Sequence, residues 1–191
     1  MRAAVIIPIK SFAVAKGRLA DSLSPEQRSQ LAKRCATTVV KAAGSLPVYV
    51  VCSDPEVASW AQSLQAHVVH CETPGLDIAV STGCTAAEVD GATHLIVAHA
   101  DLPLATHLEH VAREGKVSMV PDRHSDGTNV LSFPAHAHFT TAYGPGSFDN
   151  HVRIAQQLGL EVEVIDDASL ALDLDTADDL TEFERRQKEN P

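Results

Sequence analysis

One alternation constrains the fold more than anything else in this chain. Apolar runs of strand length, mostly rich in β-branched residues, take turns with segments whose apolar residues recur at helical spacing. The runs 3–9, 48–52, 67–71, 94–98 and 117–120 read as central strands. Between the first two, Ser24-Pro25-Glu26-Gln27 supplies a capping oxygen, a proline for the first helical position and a glutamine at N3. Leu31, Cys35 and Val39 follow on one face. Asp54-Pro55-Glu56 opens a second helix carrying Val57, Trp60, Ala61 and Leu64, and further helices are predicted over 77–89 and 106–114. Strand, helix, strand in repetition implies parallel strands joined by right-handed crossovers, with helices on both faces.

After Pro121 the rhythm changes. The strand 129–133 has no helix before it, and a helix over 146–158 feeds a strand over 161–165, so one antiparallel strand is expected. Thr176-Ala177-Asp178-Asp179, an acidic capping box, launches a last helix over 180–187. The predicted architecture is an α/β three-layer α/β/α sandwich around a mixed, mostly parallel sheet. With 191 residues and 45% hydrophobic content, the chain is expected to be a single domain over 1–191. No internal repeat or low-complexity linker divides it, and composition shifts only at the polar tail, 182–191.

Charge and cysteine usage exclude several classes of partner. The net charge of −10 repels nucleic acid and anionic membrane, so any phosphate must be caught by a local cluster of cations. Cys35, Cys52, Cys71 and Cys84 are scattered with no C-x-x-C pair, which reads as free thiols of a cytoplasmic protein. The opening apolar run is too short for a secretory segment, and no stretch approaches the roughly 18 apolar residues of a membrane span.

Familiar nucleotide and hydrolase signatures are absent. No G-x-G-x-x-G follows the first strand and no Walker loop occurs, so a bound nucleotide must be held by other groups. Gly144-Pro145-Gly146-Ser147-Phe148 lacks the second glycine of a nucleophile elbow. The histidine pairs His67/His70, His94/His99, His107/His110 and His136/His138 match no zinc spacing and read as surface or packing residues.

Four stretches carry candidate chemistry. Lys10, Lys16 and Arg18 follow the first strand; at the carboxyl end of an open sheet they either neutralise a polyphosphate or form a solvated loop. Asp101, in Ala100-Asp101-Leu102-Pro103, leaves a buried-looking strand where it either holds a hard cation or caps a turn. Asp173 and Asp175 lie at i and i+2 on one side of an extended segment. A divalent cation between them would relieve their repulsion, although one of them can instead start the last helix. Asp126-Gly127-Thr128-Asn129 and Gly144-Pro145-Gly146-Ser147 offer backbone N–H groups to an anion, or are ordinary turns.

In this order, the stretches resemble the 2-phospho-L-lactate guanylyltransferase family of coenzyme F-420 biosynthesis. The resemblance is carried by Pro8-Ile9-Lys10, Lys16-Gly17-Arg18-Leu19, Leu23 to Arg28, Asp54-Pro55-Glu56-Val57, Gly75-Leu76 and Ala100 to Leu104. It continues through Pro121-Asp122-Arg123-His124, Gly127-Thr128-Asn129, Gly144 to Phe148 and Leu172 to Thr176. It implies a nucleotidyltransferase A-type fold, like that of nucleotide-diphospho-sugar transferases, with a Pro-x-Lys loop where molybdopterin guanylyltransferases have a glycine-rich one. It also implies that GMP moves from GTP onto a small phosphorylated three-carbon acid, with release of pyrophosphate. The family's acceptors are 2-phospho-L-lactate, phosphoenolpyruvate and 3-phospho-D-glycerate. The chain departs from the family at Asp77, where relatives usually carry Asn, and at Ser125-Asp126, where a further glycine is common.

The expected mechanism follows from that resemblance. Asp101, Asp173 and Asp175 hold Mg²⁺, and Lys10, Lys16 and Arg18 stabilise the triphosphate and the leaving pyrophosphate. Pro8, Ile9 and the segment from Glu72 through Gly75 to Asp77 take the guanosine part, while Thr128, Asn129, Gly144, Gly146 and Ser147 cradle the acceptor. A phosphate monoester, with a second pKa of about 6, is ionised enough to attack without a general base. Competing readings are a cytidylyltransferase or molybdopterin-type enzyme of the same fold, or a non-catalytic nucleotide-binding module whose acids only cap helices. A homodimer is open on analogy alone.

Overall fold

A computed structural model describes residues 1–189; residues 190 and 191 of the polar tail lie outside the described residues. Seven strands form one sheet: β1 (Ala3–Pro8), β2 (Val48–Cys52), β3 (His67–His70), β4 (His94–Ala98), β5 (Val117–Pro121), β6 (Thr128–Pro134) and β7 (Val162–Val164). Their order is β3-β2-β1-β4-β6-β5-β7. Strands β3, β2, β1 and β4 are parallel, β6 runs antiparallel to both β4 and β5, and β7 is parallel to β5. The mixed sheet with one reversed strand is therefore as expected. β3, however, is an edge strand rather than a central one; its two histidines are exposed and its valines only half-buried.

The sheet order fixes where a ligand can bind. The chain leaves β1 toward β2 on one side and later returns to place β4 on the other, so the crevice lies outside the carboxyl ends of β1 and β4. Because β6 runs backwards, its first residues, Thr128 and Asn129, lie at that same end, with Ala98 opposite Val130. The His99 N–H donates to the Asn129 carbonyl at 3.0 Å.

Alternating side chains divide the core between two helical layers. Val5, Ile7, Val50 and Ile96 pack with Val39 of α1 (Pro25–Ala42) and Trp60 of α2 (Pro55–Ser63). Ala4, Ile6, Val51, Leu95 and Val97 pack with Cys84 of α3 (Leu76–Val89) and Ala155 of α4 (Ser147–Gln157). Gly83 lets α3 approach closely, since a Cβ there would lie 2.6 Å from both Ile6 and Val51. A third cluster joins Cys35 of α1 to Leu172, Leu174 and Phe183, seating α5 (Ala177–Glu189) and the acidic segment before it. Each such Val, Ile or Leu contributes about 1.5–3 kcal/mol by burial.

The local start signals act as the residues suggest. Ser24 and Gln27 form a reciprocal capping box, and Asp54 accepts from the N–H groups of Glu56 and Val57. The helix expected over 106–114 does not form, leaving a single 3-10 turn, Glu109–Val111. The Leu108 N–H donates to the Ala42 carbonyl instead, and Leu108 and Val111 are both fully buried. Long-range bonding and burial in the core layer that holds Val39 and Trp60 override the segment's helical spacing. No helix among the described residues is long and apolar enough to cross a membrane.

Candidate active site

The loop after β1 is anchored by its apolar residues, which leaves its cations free to be aimed. Phe12 packs edge-on against Trp60 with centroids 5.1 Å apart, and Leu19 is fully buried. Between them Lys16 adopts φ 58°, a left-handed conformation that costs a non-glycine residue about 1–2 kcal/mol. That conformation accompanies an inward-pointing ammonium: Lys16 Nζ lies 2.7 Å from Asp101 Oδ2 and 3.2 Å from Asp175 Oδ1, and its side chain is only 5% exposed. The three cations grouped in the sequence thus divide. Lys16 is buried among carboxylates, whereas Lys10 is exposed and Arg18 reaches Asp175 only at 3.9 Å, with its side chain 78% exposed.

The carboxylates meet through a backbone bridge. The Leu174 N–H donates to the Asp101 carbonyl at 3.1 Å, bringing the extended acidic segment beside the exit of β4. Carboxylate oxygens of Asp101, Asp173 and Asp175 then lie within 4.8 Å of one another. Asn129 holds this arrangement from β6, its amide donating to the Leu170 carbonyl at 3.0 Å and to Asp173 Oδ1 at 3.3 Å.

Protonation follows from who faces whom. Burial, and then the nearby charge of Asp101, push the Asp173 carboxyl above its ordinary value. Burial is the largest influence on Asp101 and opposes its charge, but the Lys16 ammonium, His99 and hydrogen bonding together outweigh it and hold that carboxyl below the usual range. Burial likewise works against the Lys16 charge, and Asp101 and Asp175 together raise its value. Cys35, close by, is no nucleophile, because burial pushes its thiol up to about 12.

Two clefts of about 410 Å³ each meet at the residues Pro8, Ile9, Lys10 and Leu76. One continues to Lys16, His99, Asp101 and Asp175; the other runs between β2, β3 and the start of α3, past Cys52, Glu72, Thr73 and Gly75. Both mix polar and apolar lining; the first gathers most of the charged side chains, and the second shares Lys10 with it and carries one carboxylate, Glu72, at an exposed position. Asp77 does not line this second cleft. Its Oδ1 accepts from the Thr141 hydroxyl at 2.7 Å and the Tyr143 N–H at 3.0 Å, which ties α3 to the segment following β6.

The residues expected around the acceptor form a packed network. The Thr128 N–H donates to Ser147 Oγ at 3.1 Å, and His151 Nδ1 lies 3.0 Å from Thr128 Oγ1. His151 Nε2 accepts from the Ala142 N–H, so the ring proton is assigned to Nδ1, which donates to Thr128. Thr128 and Ser147 are buried behind the site, while Gly144 is exposed and the Gly146 N–H is taken by Asp126 Oδ1 at 3.2 Å. Ser125 adopts φ 58°, a left-handed conformation that glycine takes without strain.

Sequence reasoning missed His99 in the charged cleft, where its Nε2 is buried without a hydrogen-bond partner among the described residues. With ten histidines in the chain, only its position two residues before Asp101 set it apart. It also gave no role to Arg123, although the stretch containing it was singled out.

A family model described as "Guanylyl transferase CofC like" matches residues 3–185. A phosphoenolpyruvate guanylyltransferase of Rubrobacter xylanophilus is 35% identical over 188 residues, covering 94% of this chain and 92% of its own. A 2-phospho-L-lactate guanylyltransferase of Methanothermobacter thermautotrophicus is 32% identical over 197 residues, covering 96% and 84%. Among solved structures, a putative nucleotide-diphospho-sugar transferase from Desulfovibrio desulfuricans superposes with TM-score 0.79 at 14% identity, covering 99% of this chain and 89% of that one. A nucleotidyl transferase from Methanothermobacter thermautotrophicus gives 0.71 at 16%, covering 99% and 98%. The fold is that of α/β nucleotidyltransferases, and the chain belongs to the CofC-like guanylyl transferase family.

Proposed function

We propose that the chain, acting as one nucleotidyltransferase domain, moves GMP from GTP onto a small phosphorylated three-carbon acid and releases pyrophosphate, in the route to coenzyme F-420. Phosphoenolpyruvate, 2-phospho-L-lactate and 3-phospho-D-glycerate are the acceptors to offer. The observation that carries this reading is the meeting of Asp101, Asp173 and Asp175 beside Lys16, with Asp101, Asp175 and Lys16 lining the charged cleft. The free thiols support a reducing, cytoplasmic setting.

Mg²⁺ fits this donor set, which is three hard carboxylates including an Asp101 Oδ1 that is buried and has no hydrogen-bond partner among the described residues. The carboxylates would hold the ion, which when bound supplies charge neutralisation between two phosphorylated substrates. Exposed Lys10 and Arg18 bind the triphosphate and the departing pyrophosphate, and Lys16 orients Asp101 and Asp175. Glu72 lines the second cleft at an exposed position, where its carboxylate accepts from the N1–H and exocyclic amine of guanine. Adenine has no such pair of donors. No thiol or hydroxyl of the chain need become a nucleophile, because the acceptor's own phosphate attacks.

The test offers GTP, Mg²⁺ and each of the three phospho-acids, with mass detection of the guanylylated product. Product with one acceptor establishes the reading; none with any of them removes it. Equal use of CTP would reassign the base specificity.

A further inference from the structure

The stretch Pro121-Asp122-Arg123-His124 contributes nothing to the reaction so far, yet it reaches the acidic segment directly. Arg123 donates from Nε to Asp179 Oδ1 at 2.9 Å and places Nη2 2.8 Å from the same oxygen, with Asp178 as a further partner. The other oxygen of Asp179 accepts from the Asp175 N–H at 3.1 Å, the Thr176 N–H at 2.7 Å and the Thr176 hydroxyl at 2.8 Å. Asp179 is 5% exposed, and burial alone would disfavour its charge. The Thr176 hydroxyl and amide, Arg123 and the Asp175 amide together hold its carboxyl below the ordinary range.

A helix cap needs only part of this. Thr176 and Asp179 bond reciprocally, with the Asp179 N–H donating to Thr176 Oγ1 at 3.3 Å, and that pair would start α5 unaided. The bond to the Asp175 N–H and the guanidinium arriving from 56 residues away are additions to it. At the other end, Asp122 locks the loop that carries Arg123. Its carboxylate accepts from the N–H groups of His124, Asp126 and Gly127, and a Cβ on Gly127 would lie 2.8 Å from Asp122 Oδ2. That loop runs straight into Thr128 and Asn129, and Asn129 contacts Asp173. Both acids are thereby held from one short stretch of chain, Asp173 by Asn129 and Asp175 by Arg123 acting through Asp179.

On the guanylyltransferase reading, on which this assignment rests, we infer that Arg123 and Asp179 are positioning residues: they fix Asp175 relative to Asp173 and tie the cation site to the loop that enters the acceptor side. Loss of such an outer partner weakens metal affinity about 10–100-fold. Arg123→Met is expected to raise the half-saturating Mg²⁺ concentration about tenfold and to raise the KM for both substrates at low Mg²⁺, with both constants recovering at saturating Mg²⁺. Amide exchange at Asp175 and Thr176 should accelerate. Arg123→Lys, which keeps the charge and one bond, should fall between the two and carries the comparison if the methionine variant fails to fold. Unchanged Mg²⁺ dependence, or substrate constants that stay raised at saturating Mg²⁺, would overturn the assignment. If the wild-type protein transfers no GMP, the guanylyltransferase reading fails by itself, and Mn²⁺ binding followed by electron paramagnetic resonance decides this one. Tenfold weaker Mn²⁺ binding by the variant upholds it; equal binding, or none by the wild type, refutes it.

Discussion

Replacing Lys16 by methionine removes one positive charge while keeping most of the side-chain volume, and its effect can be worked out from the site. The ammonium sits 2.7 Å from Asp101 and 3.2 Å from Asp175 with only 5% of its side chain exposed, whereas the two acids, 24% and 46% exposed, border the cleft. Breaking a fully buried pair by removing one partner costs about 3–5 kcal/mol, and solvent at the two acids lowers that here to about 2–3 kcal/mol. For a chain of this length each kcal/mol moves the melting temperature by about 2–4 °C, so a loss of roughly 4–12 °C is expected at neutral pH. The sign of the pH dependence is fixed as well. In the wild type Lys16 depresses the Asp101 carboxyl, so its stabilisation is present above the ordinary carboxylate range and is lost as pH falls through the depressed value. Without Lys16 that carboxyl protonates more easily, so the difference between variant and wild type should shrink on acidification. Millimolar Mg²⁺ should restore more stability to the variant than to the wild type, since a divalent cation can neutralise the same carboxylates. Thermal denaturation with and without Mg²⁺ at two pH values measures all of this. A variant that melts within about 2 °C of the wild type at pH 7, or gains no more from Mg²⁺, refutes the reasoning.

Asp101→Asn should lower turnover at least about a thousandfold while far-UV circular dichroism stays native; near-normal turnover would take the cation role from this residue. Glu72→Gln should raise the KM for GTP and narrow the preference for GTP over ATP, because the amide offers a guanine only one acceptor oxygen. Gly83→Ala should destabilise the fold by about 1–3 kcal/mol in urea titrations, since its Cβ would meet Ile6 and Val51 at 2.6 Å. His94 and His151 are buried, and their pKa values are pushed down to about 4, chiefly by burial. Their neutral forms stabilise the fold above the unfolded value of about 6.5, and that contribution is lost between there and about 4. Each can contribute up to about 1.4 kcal/mol per pH unit across that window, which denaturant titrations at pH 7, 5.5 and 4.5 would detect.

How much of this was legible in the residues depends on the range of the force involved. The capping oxygens of Ser24 and Asp54 act over three residues, and the alternation in β1 and β4 acts over two, so pattern alone located those elements. The segment 106–114 carries helical spacing too, but Leu108 is bonded to Ala42, far back in the chain, and local spacing holds no trace of that contact. β3 reads like a central strand because its valines are β-branched, and only the order of the finished sheet shows that it lies at the edge.

The site divides along the same line. That the three carboxylates belong together is implied by the family resemblance, since the residue types alone leave a cation or a cap open at each. The different fates of three neighbouring cations could not be foreseen, because burial of Lys16 needs its left-handed backbone, the anchors Phe12 and Leu19, and two aspartates from distant parts of the chain. Nor could the role of Asp77, whose carboxylate is taken by Thr141 and Tyr143 across the top of α3. Charge predicts that a partner exists; topology decides which one it is. β6 makes the point most directly: reversing that single strand brings Asn129 to Asp173, and a parallel strand in its place would carry the same residues to the opposite end of the sheet, away from every acid in the site.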